Sequence, residues 1–188
     1  RRDRIGREGP LRFDEFQHAA LYDPDGGYYE RPGRVGRDGD FVTGASWHPA
    51  FARCLARIVG RLAPLLPGPL DVVDVGAGEG ELLGFLSAVL PARAGVRLRG
   101  VEASAVRRAE AAARAPGAVL HPSVADLPPG LRGLVVAYEL FDALPVRALR
   151  AAEDGTLLER RVGLDDSGGF EWVDSPCPDG GSILEGLA

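Results

Sequence analysis

Val72-Val73-Asp74-Val75-Gly76-Ala77-Gly78-Glu79-Gly80-Glu81-Leu82 carries an apolar run straight into D-x-G-x-G-x-G and on into a helical pattern. Strand, glycine turn and helix in that order open a βαβ unit. In a doubly wound sheet such a turn lets a ligand approach the backbone, because glycine has no Cβ in the way, and the helix behind it offers N–H groups. The spacing speaks against a dinucleotide cradle, which leaves a nucleotide-dependent oxidoreductase as a weaker alternative, and excludes a P-loop. A dinucleotide fingerprint needs G-x-G-x-x-G, and counting from Gly76 puts Glu81 in the third place. A P-loop needs a lysine, and all 22 basic residues are arginine.

Outward from the turn, short apolar runs alternate with helical stretches. Leu70 to Val75 reads as a buried strand, Glu79 to Leu90 as a helix, Val96 to Val101 as a strand, and Ser104 to Ala115 as a helix capped by Ser104. A weaker strand over Ala118 to Leu120 and a firm one over Leu134 to Tyr138 follow. This alternation implies parallel pairing through crossovers, hence a doubly wound α/β fold with a mainly parallel sheet. Upstream, Phe13 to Tyr22 and Pro49 to Leu65 have helical periodicity, separated by a long glycine-rich loop from Tyr28 to Trp47. Downstream, Leu157 to Val162 and Phe170 to Val173 flank Asp165-Asp166-Ser167-Gly168-Gly169 and read as an antiparallel hairpin. Three segments are expected: 1–68 helical, 69–150 the ligand-binding core, and 151–188 a hairpin and tail that begin a further, truncated region.

The 188 residues are 45% hydrophobic and 26% charged, with 22 basic and 27 acidic side chains and a net charge of −5. That is an ordinary globular balance, long enough to bury roughly 70% of the unfolded surface. The acidic excess argues against a nucleic-acid partner. The longest apolar stretch, Leu82 to Leu90, falls far short of the ~20 residues of a membrane span, so no insertion is expected. Cys54 and Cys177 stand far apart without a CxxC, and His18, His48 and His121 lack ligand spacing, so neither a disulfide framework nor a metal site is expected. The arginine-only basic set and the wealth of Ala, Gly, Leu and Pro point to a GC-rich bacterial genome and a reducing cytoplasm. No signal peptide opens at Arg1-Arg2-Asp3-Arg4, and no methionine occurs, so the sequence reads as a piece of a longer product.

Charge selects among ligands. Asp74, Glu79 and Glu81 surround the turn with carboxylates that repel a pyrophosphate and suit a cation. S-adenosylmethionine carries a sulfonium and an ammonium and no phosphate. Glu102 lies 22 residues after Gly80, at the end of the next strand, where a carboxylate can accept both hydrogen bonds of a ribose diol. The structural alternative is a tight turn over Gly76, Gly78 and Gly80 with Glu102 as a solvated strand-end charge.

Three further stretches complete a pattern: Leu11-Arg12-Phe13 through Gly27-Tyr28-Tyr29, Gly36-Arg37-Asp38-Gly39-Asp40-Phe41-Val42-Thr43, and Glu139-Leu140-Phe141-Asp142-Ala143-Leu144-Pro145-Val146. With the Asp74 to Gly80 turn they resemble the MidA-like methyltransferases, a family that includes the mitochondrial complex I assembly methyltransferase. The resemblance spans roughly residues 10 to 173. It implies a Rossmann-like class I methyltransferase fold with an N-terminal helical and lid extension, S-adenosylmethionine as cofactor, and a protein as substrate, with arginine as the acceptor in the mitochondrial member. A respiratory-complex subunit is the partner it suggests. It also implies that Asp74, Gly76, Gly78, Gly80 and Glu102 hold the cofactor, that Asp126 lies beside the adenine, and that Gly39, Asp40, Phe41 and Thr43 close over it. The resemblance further implies that Glu139 and Asp142 fall where substrate and methyl donor meet. Gly44-Ala45-Ser46 replaces the family's Ser-Pro-Glu, Tyr138 an asparagine, and Glu79 an arginine.

Methyl transfer from a sulfonium is a direct displacement, so a protein must chiefly align donor and acceptor and exclude water. A guanidinium acceptor is matched by carboxylates in bidentate pairs. Glu139 and Asp142 are three apart, which on a helical turn puts both on one side; capping a helix start is their structural alternative. Arg107, Arg108 and Arg114 read as the solvated side of their helix. A competing functional reading is a catalytically degenerate cofactor-binding or assembly protein of the same fold, favoured by Tyr138 and by the missing carboxylate after Thr43.

Overall fold

The computed structural model describes residues 1–30, 44, 48–90 and 95–187. By their contacts the residues form two compact units, one of 31–142 and one of 1–30 with 143–188.

The 31–142 unit is built on a parallel four-stranded sheet, with β2 (Leu70–Val75), β3 (Val96–Val101), β4 (Val119–His121) and β5 (Gly133–Val136) in the order β4-β3-β2-β5. The chain runs outward from β2 to β3 and β4, then crosses back to lay β5 on the other side of β2. That reversal leaves a crevice beyond the carboxyl ends of β2 and β5, where open α/β sheets take their ligands. One face of the sheet is covered by α3 (Ala50–Leu62), α4 (Glu81–Val89) and α5 (Ala105–Arg114), with α3 packed on α4 and α4 on α5. Alternate strand residues supply the core: Leu70, Val72 and Val136 meet Ala52, Leu55 and Val59 of α3 and Leu82 and Leu86 of α4. The expected alternation and the bounds of β2 and β3 are reproduced.

The second unit is antiparallel. β1 (Leu11–Arg12) and β6 (Ala148–Ala151) both pair with β7 (Leu157–Leu164), and β8 (Phe170–Pro176) pairs with β7 along its length. The hairpin expected from the sequence is thus present, with two more strands beside it. Helices α1 (Arg2–Glu8) and α2 (Phe13–Tyr22) bring Ile5, Phe13 and Phe16 to a small core with Leu11, Val162 and Leu164. Glu159 is 2% exposed and accepts from Arg147 Nε at 2.8 Å and Arg161 Nη2 at 2.9 Å. A short helix, α6 (Gly180–Leu187), ends the described chain.

The contacts therefore group the chain differently from the three consecutive segments expected. Pairing of Leu11 with Val162 and of Arg12 with Arg161 ties residues 1–30 to the tail, while the apolar stripe of α3 belongs to the parallel sheet. Among the described residues no helix is long and apolar enough to cross a membrane.

Candidate cofactor and acceptor site

The three turn glycines have different reasons to be glycine. All are left-handed, with φ of 80° at Gly76, 56° at Gly78 and 84° at Gly80. A Cβ on Gly80 would stand 2.7 Å from Ala111 Cα and 2.9 Å from its Cβ, so this glycine lets α5 press against the start of α4. A Cβ on Gly76 would meet Leu140 Cδ1 at 2.8 Å, which seats the segment after β5 on the turn. A Cβ on Gly78 would meet nothing within 4 Å among the described residues. That open position is where a ligand can reach the backbone.

The turn is held from β3. Gly76 N–H and Ala77 N–H both donate to Val101 O at 2.9 Å, and Gly78 N–H donates to Glu102 Oε2 at 2.9 Å. Glu102 Oε1 accepts from Ser104 N–H, also at 2.9 Å. These turn N–H groups are thus committed to the protein rather than held ready for a ligand. A carboxylate has about four acceptor positions, so Glu102 retains capacity for a diol after both bonds. Arg108 Nη1 donates to Glu102 O at 2.7 Å and to Ala103 O at 3.1 Å, which pins the loop from below. Ser104 occupies the cap position of α5 with no side-chain cap bond, so its contribution there is its N–H to Glu102.

Electrostatically the turn divides in two. Glu79 and Glu81 face Arg114, whose Nη1 also donates to Glu79 O at 3.0 Å. Their charge is therefore partly neutralised within the fold, although burial and the neighbouring Glu81 and Glu110 still raise the Glu79 carboxyl above its ordinary range. Among the described residues Asp74 has no such relief. It is 4% exposed, and burial, with Glu102 and Glu81 nearby, pushes its pKa up to about 7. Among the described residues of the turn, Asp74 and Glu102 are the carboxylates without a cation partner.

The other expected residues are spread around the crevice. Asp126 ends a 3-10 turn, Val124–Asp126, after β4; it is exposed, and its Oδ2 accepts from Ser123 Oγ at 2.8 Å. Glu139 and Asp142 follow β5 and are both exposed, but they do not share a regular helical turn. Glu139 lies ahead of the 3-10 turn Phe141–Ala143 and has φ 48°, the one positive value at a non-glycine among the described residues. Left-handed backbone at a side-chain-bearing residue costs roughly 1–2 kcal/mol and concentrates at functional positions. Tyr138 is a packing residue, its ring 4.9 Å from that of Phe51 on α3. The expected lid residues Gly39, Asp40, Phe41 and Thr43 lie outside the described residues.

The arginines of α5 were not recognisable as site residues from periodicity. Arg107 is 8% exposed, Arg108 holds the loop after β3 and Arg114 holds the turn. A solvated helix face was the expectation. Arg108 and Arg114 reach past their own helix to backbone carbonyls of neighbouring loops, a contact that spacing along the helix cannot reveal.

Comparison with known proteins bears on the whole arrangement. A family described as "putative S-adenosyl-L-methionine-dependent methyltransferase" matches residues 51–184, from α3 through most of α6. The chain belongs to this family. The mitochondrial protein arginine methyltransferase NDUFAF7 homolog of Drosophila melanogaster is 28% identical over 90% of the chain and 45% of its own length. The Xenopus tropicalis protein arginine methyltransferase NDUFAF7 is 26% identical over 81% of the chain and 43% of its length. Among solved structures, a Burkholderia thailandensis protein bound to S-adenosyl-homocysteine superposes with a TM-score of 0.78 at 30% identity, over 97% of this chain and 51% of that one. The family's fold is thus this chain's fold, a Rossmann-like methyltransferase sheet. The chain spans about half the length of these relatives.

Proposed function

We propose that this chain binds S-adenosylmethionine at the Gly76–Gly80 turn and serves methyl transfer to a protein arginine. The observation that carries the reading is the left-handed Gly78, open among the described residues, beside two carboxylates, Glu102 and Asp74, that have no cation partner among the described residues. Family membership supports the cofactor, and the arginine acceptor is supported by the named activity of the two mitochondrial relatives. S-adenosylmethionine supplies an electrophilic methyl group on a sulfonium. In this reading Glu102 accepts from the ribose hydroxyls, Asp74 offers negative charge to the cationic end, Asp126 lies beside the adenine, and Gly76, Gly78 and Gly80 shape the floor. Gly39, Asp40, Phe41 and Thr43 close over it. Glu139 and Asp142 orient the acceptor guanidinium by paired charge-assisted hydrogen bonds.

A protein partner, and a respiratory-complex subunit in particular, belongs to the same proposal, as does a bacterial cytoplasmic setting supported by composition. One observation favours a second reading, binding without turnover: Tyr138, in the family's asparagine position, is engaged in packing against Phe51.

Calorimetric titration with S-adenosylmethionine and S-adenosylhomocysteine tests the first step. The wild-type chain is expected to bind both. Gly78→Val, which puts branched bulk into the open position, is expected to lose at least tenfold in affinity while keeping its circular dichroism. A wild-type chain that binds neither compound overturns the proposal.

A further inference from the structure

Phe141 is 72% exposed, at the carboxyl end of the segment that follows β5. Among the described residues the other large aromatics left open, Phe170 and Trp172, are each about half exposed and rest on partners: Phe170 on Phe16 at 5.0 Å with Arg2 above it, Trp172 on Phe13 at 5.2 Å with Arg160 above it. Phe141 has no ring or guanidinium partner among the described residues. Its neighbours in sequence are informative. Leu140 is seated at Gly76 and anchors the segment to the cofactor turn, Glu139 carries the left-handed backbone, and Asp142 shares the 3-10 turn with Phe141. In sequence the open ring lies between two exposed carboxylates and next to Leu140, which is seated at the turn glycine; an aromatic face attracts a planar cation, and carboxylates accept its N–H groups.

We propose that Phe141 is the aromatic wall of the acceptor site, against which an arginine guanidinium stacks while Glu139 and Asp142 bind its edge. This rests on the methyl-transfer reading above and adds the residue that discriminates guanidinium from ammonium. A lysine ammonium is a compact, strongly hydrated charge with no plane to stack, so the site should prefer arginine.

The test uses the full chain saturated with S-adenosylhomocysteine and titrated, by NMR, with Nα-acetyl-arginine amide and Nα-acetyl-lysine amide. The wild type is expected to bind the arginine probe at least tenfold more tightly than the lysine probe. Phe141→Leu is expected to weaken the arginine probe about tenfold with S-adenosylhomocysteine affinity and thermal midpoint unchanged, and Phe141→Tyr to stay within twofold of wild type. Phe141→Leu binding like wild type overturns the proposal, as does a cofactor-loaded wild type that ignores the arginine probe. A chain that fails to bind S-adenosylhomocysteine at all fails earlier, on the cofactor reading, and takes the acceptor site with it.

Discussion

Asp71 and Asp74 stand three residues apart on β2, the same residue type on the same strand, at 1% and 4% exposure. Asp71 accepts from Arg97 Nε at 3.0 Å, Arg97 Nη2 at 2.7 Å and Arg99 Nε at 2.8 Å. Burial alone would raise its carboxyl, and the two arginines more than reverse that, holding it below the ordinary range. Among the described residues, Asp74 has Glu102 and Glu81 for charged neighbours, and burial with these two pushes it up to about 7. The foot of the strand uses a buried charge to fix β2 against β3, where Asp71 lies opposite Arg97. The head of the strand keeps a buried carboxyl with no cation beside it among the described residues, and it holds its proton up to about pH 7 unless a cation visits. Compensation, rather than burial, separates the structural carboxylate from the functional one.

The sharpest way to break that distinction is to remove the compensated member. Asp71→Ala takes away the acceptor of three hydrogen bonds and strands Arg99, whose side chain is 12% exposed. Losing one partner of a buried pair costs about 3 kcal/mol or more; the half-exposed Arg97 rehydrates and adds little. Urea denaturation should show this loss, while folded protein keeps its affinity for S-adenosylmethionine within twofold. A loss under about 1 kcal/mol would mean that the arginines hold nothing in place.

The same contrast between fold and ligand can be sharpened on the glycines. Gly80→Ala forces a Cβ against the backbone of Ala111 and adds a side chain at φ 84°, so overpacking and strain together should cost about 3 kcal/mol. Gly78→Ala carries strain alone, with open space around it, and should cost about 1 kcal/mol. Thermal unfolding of the two variants separates packing from conformation. Equal losses would refute the assignment of Gly78 to the ligand side.

Which of these features could be read from sequence follows from their range. β2, β3 and α2 were legible to the residue because their periodicity is local and their ends carry glycine or proline. The turn was legible because glycine spacing and carboxylate placement distinguish cradles from one another. β1, two residues long, and β6, Ala148–Ala151, have too little pattern to announce a strand; β7 makes them strands. The joining of residues 1–30 to the tail depends on Leu11 meeting Val162, and pairing at that separation leaves no local trace. Glu139 and Asp142 were assigned one helical turn from their spacing, whereas the backbone leaves helical geometry at Glu139, a conformation that no neighbouring residue type signals. Compensation itself was invisible: Arg114 neutralises Glu79 and Glu81 from another helix, so an acidic turn in sequence is a less acidic turn in space.

A pH-dependent effect follows from the carboxyl without a cation partner among the described residues. Unfolded, the Asp74 carboxyl titrates near its ordinary 3.8; folded, it keeps its proton to about 7. Between those values the folded state binds more protons, so its contribution to stability is complete below pH 3.8 and declines as pH rises to about 7. A cationic ligand favours the ionised carboxyl and must expel that proton. Affinity for S-adenosylmethionine should therefore rise by up to about tenfold per pH unit below 7, or about 1.4 kcal/mol, and level off above it. S-adenosylhomocysteine, which lacks the sulfonium, should show a shallower profile, and Asp74→Asn should bind weakly and without this slope. Calorimetry from pH 5.5 to 8.5 checks all three. Parallel profiles for the two compounds would show that Asp74 does not face the sulfonium, and its uncompensated charge would then be a feature of the empty fold rather than of the reaction.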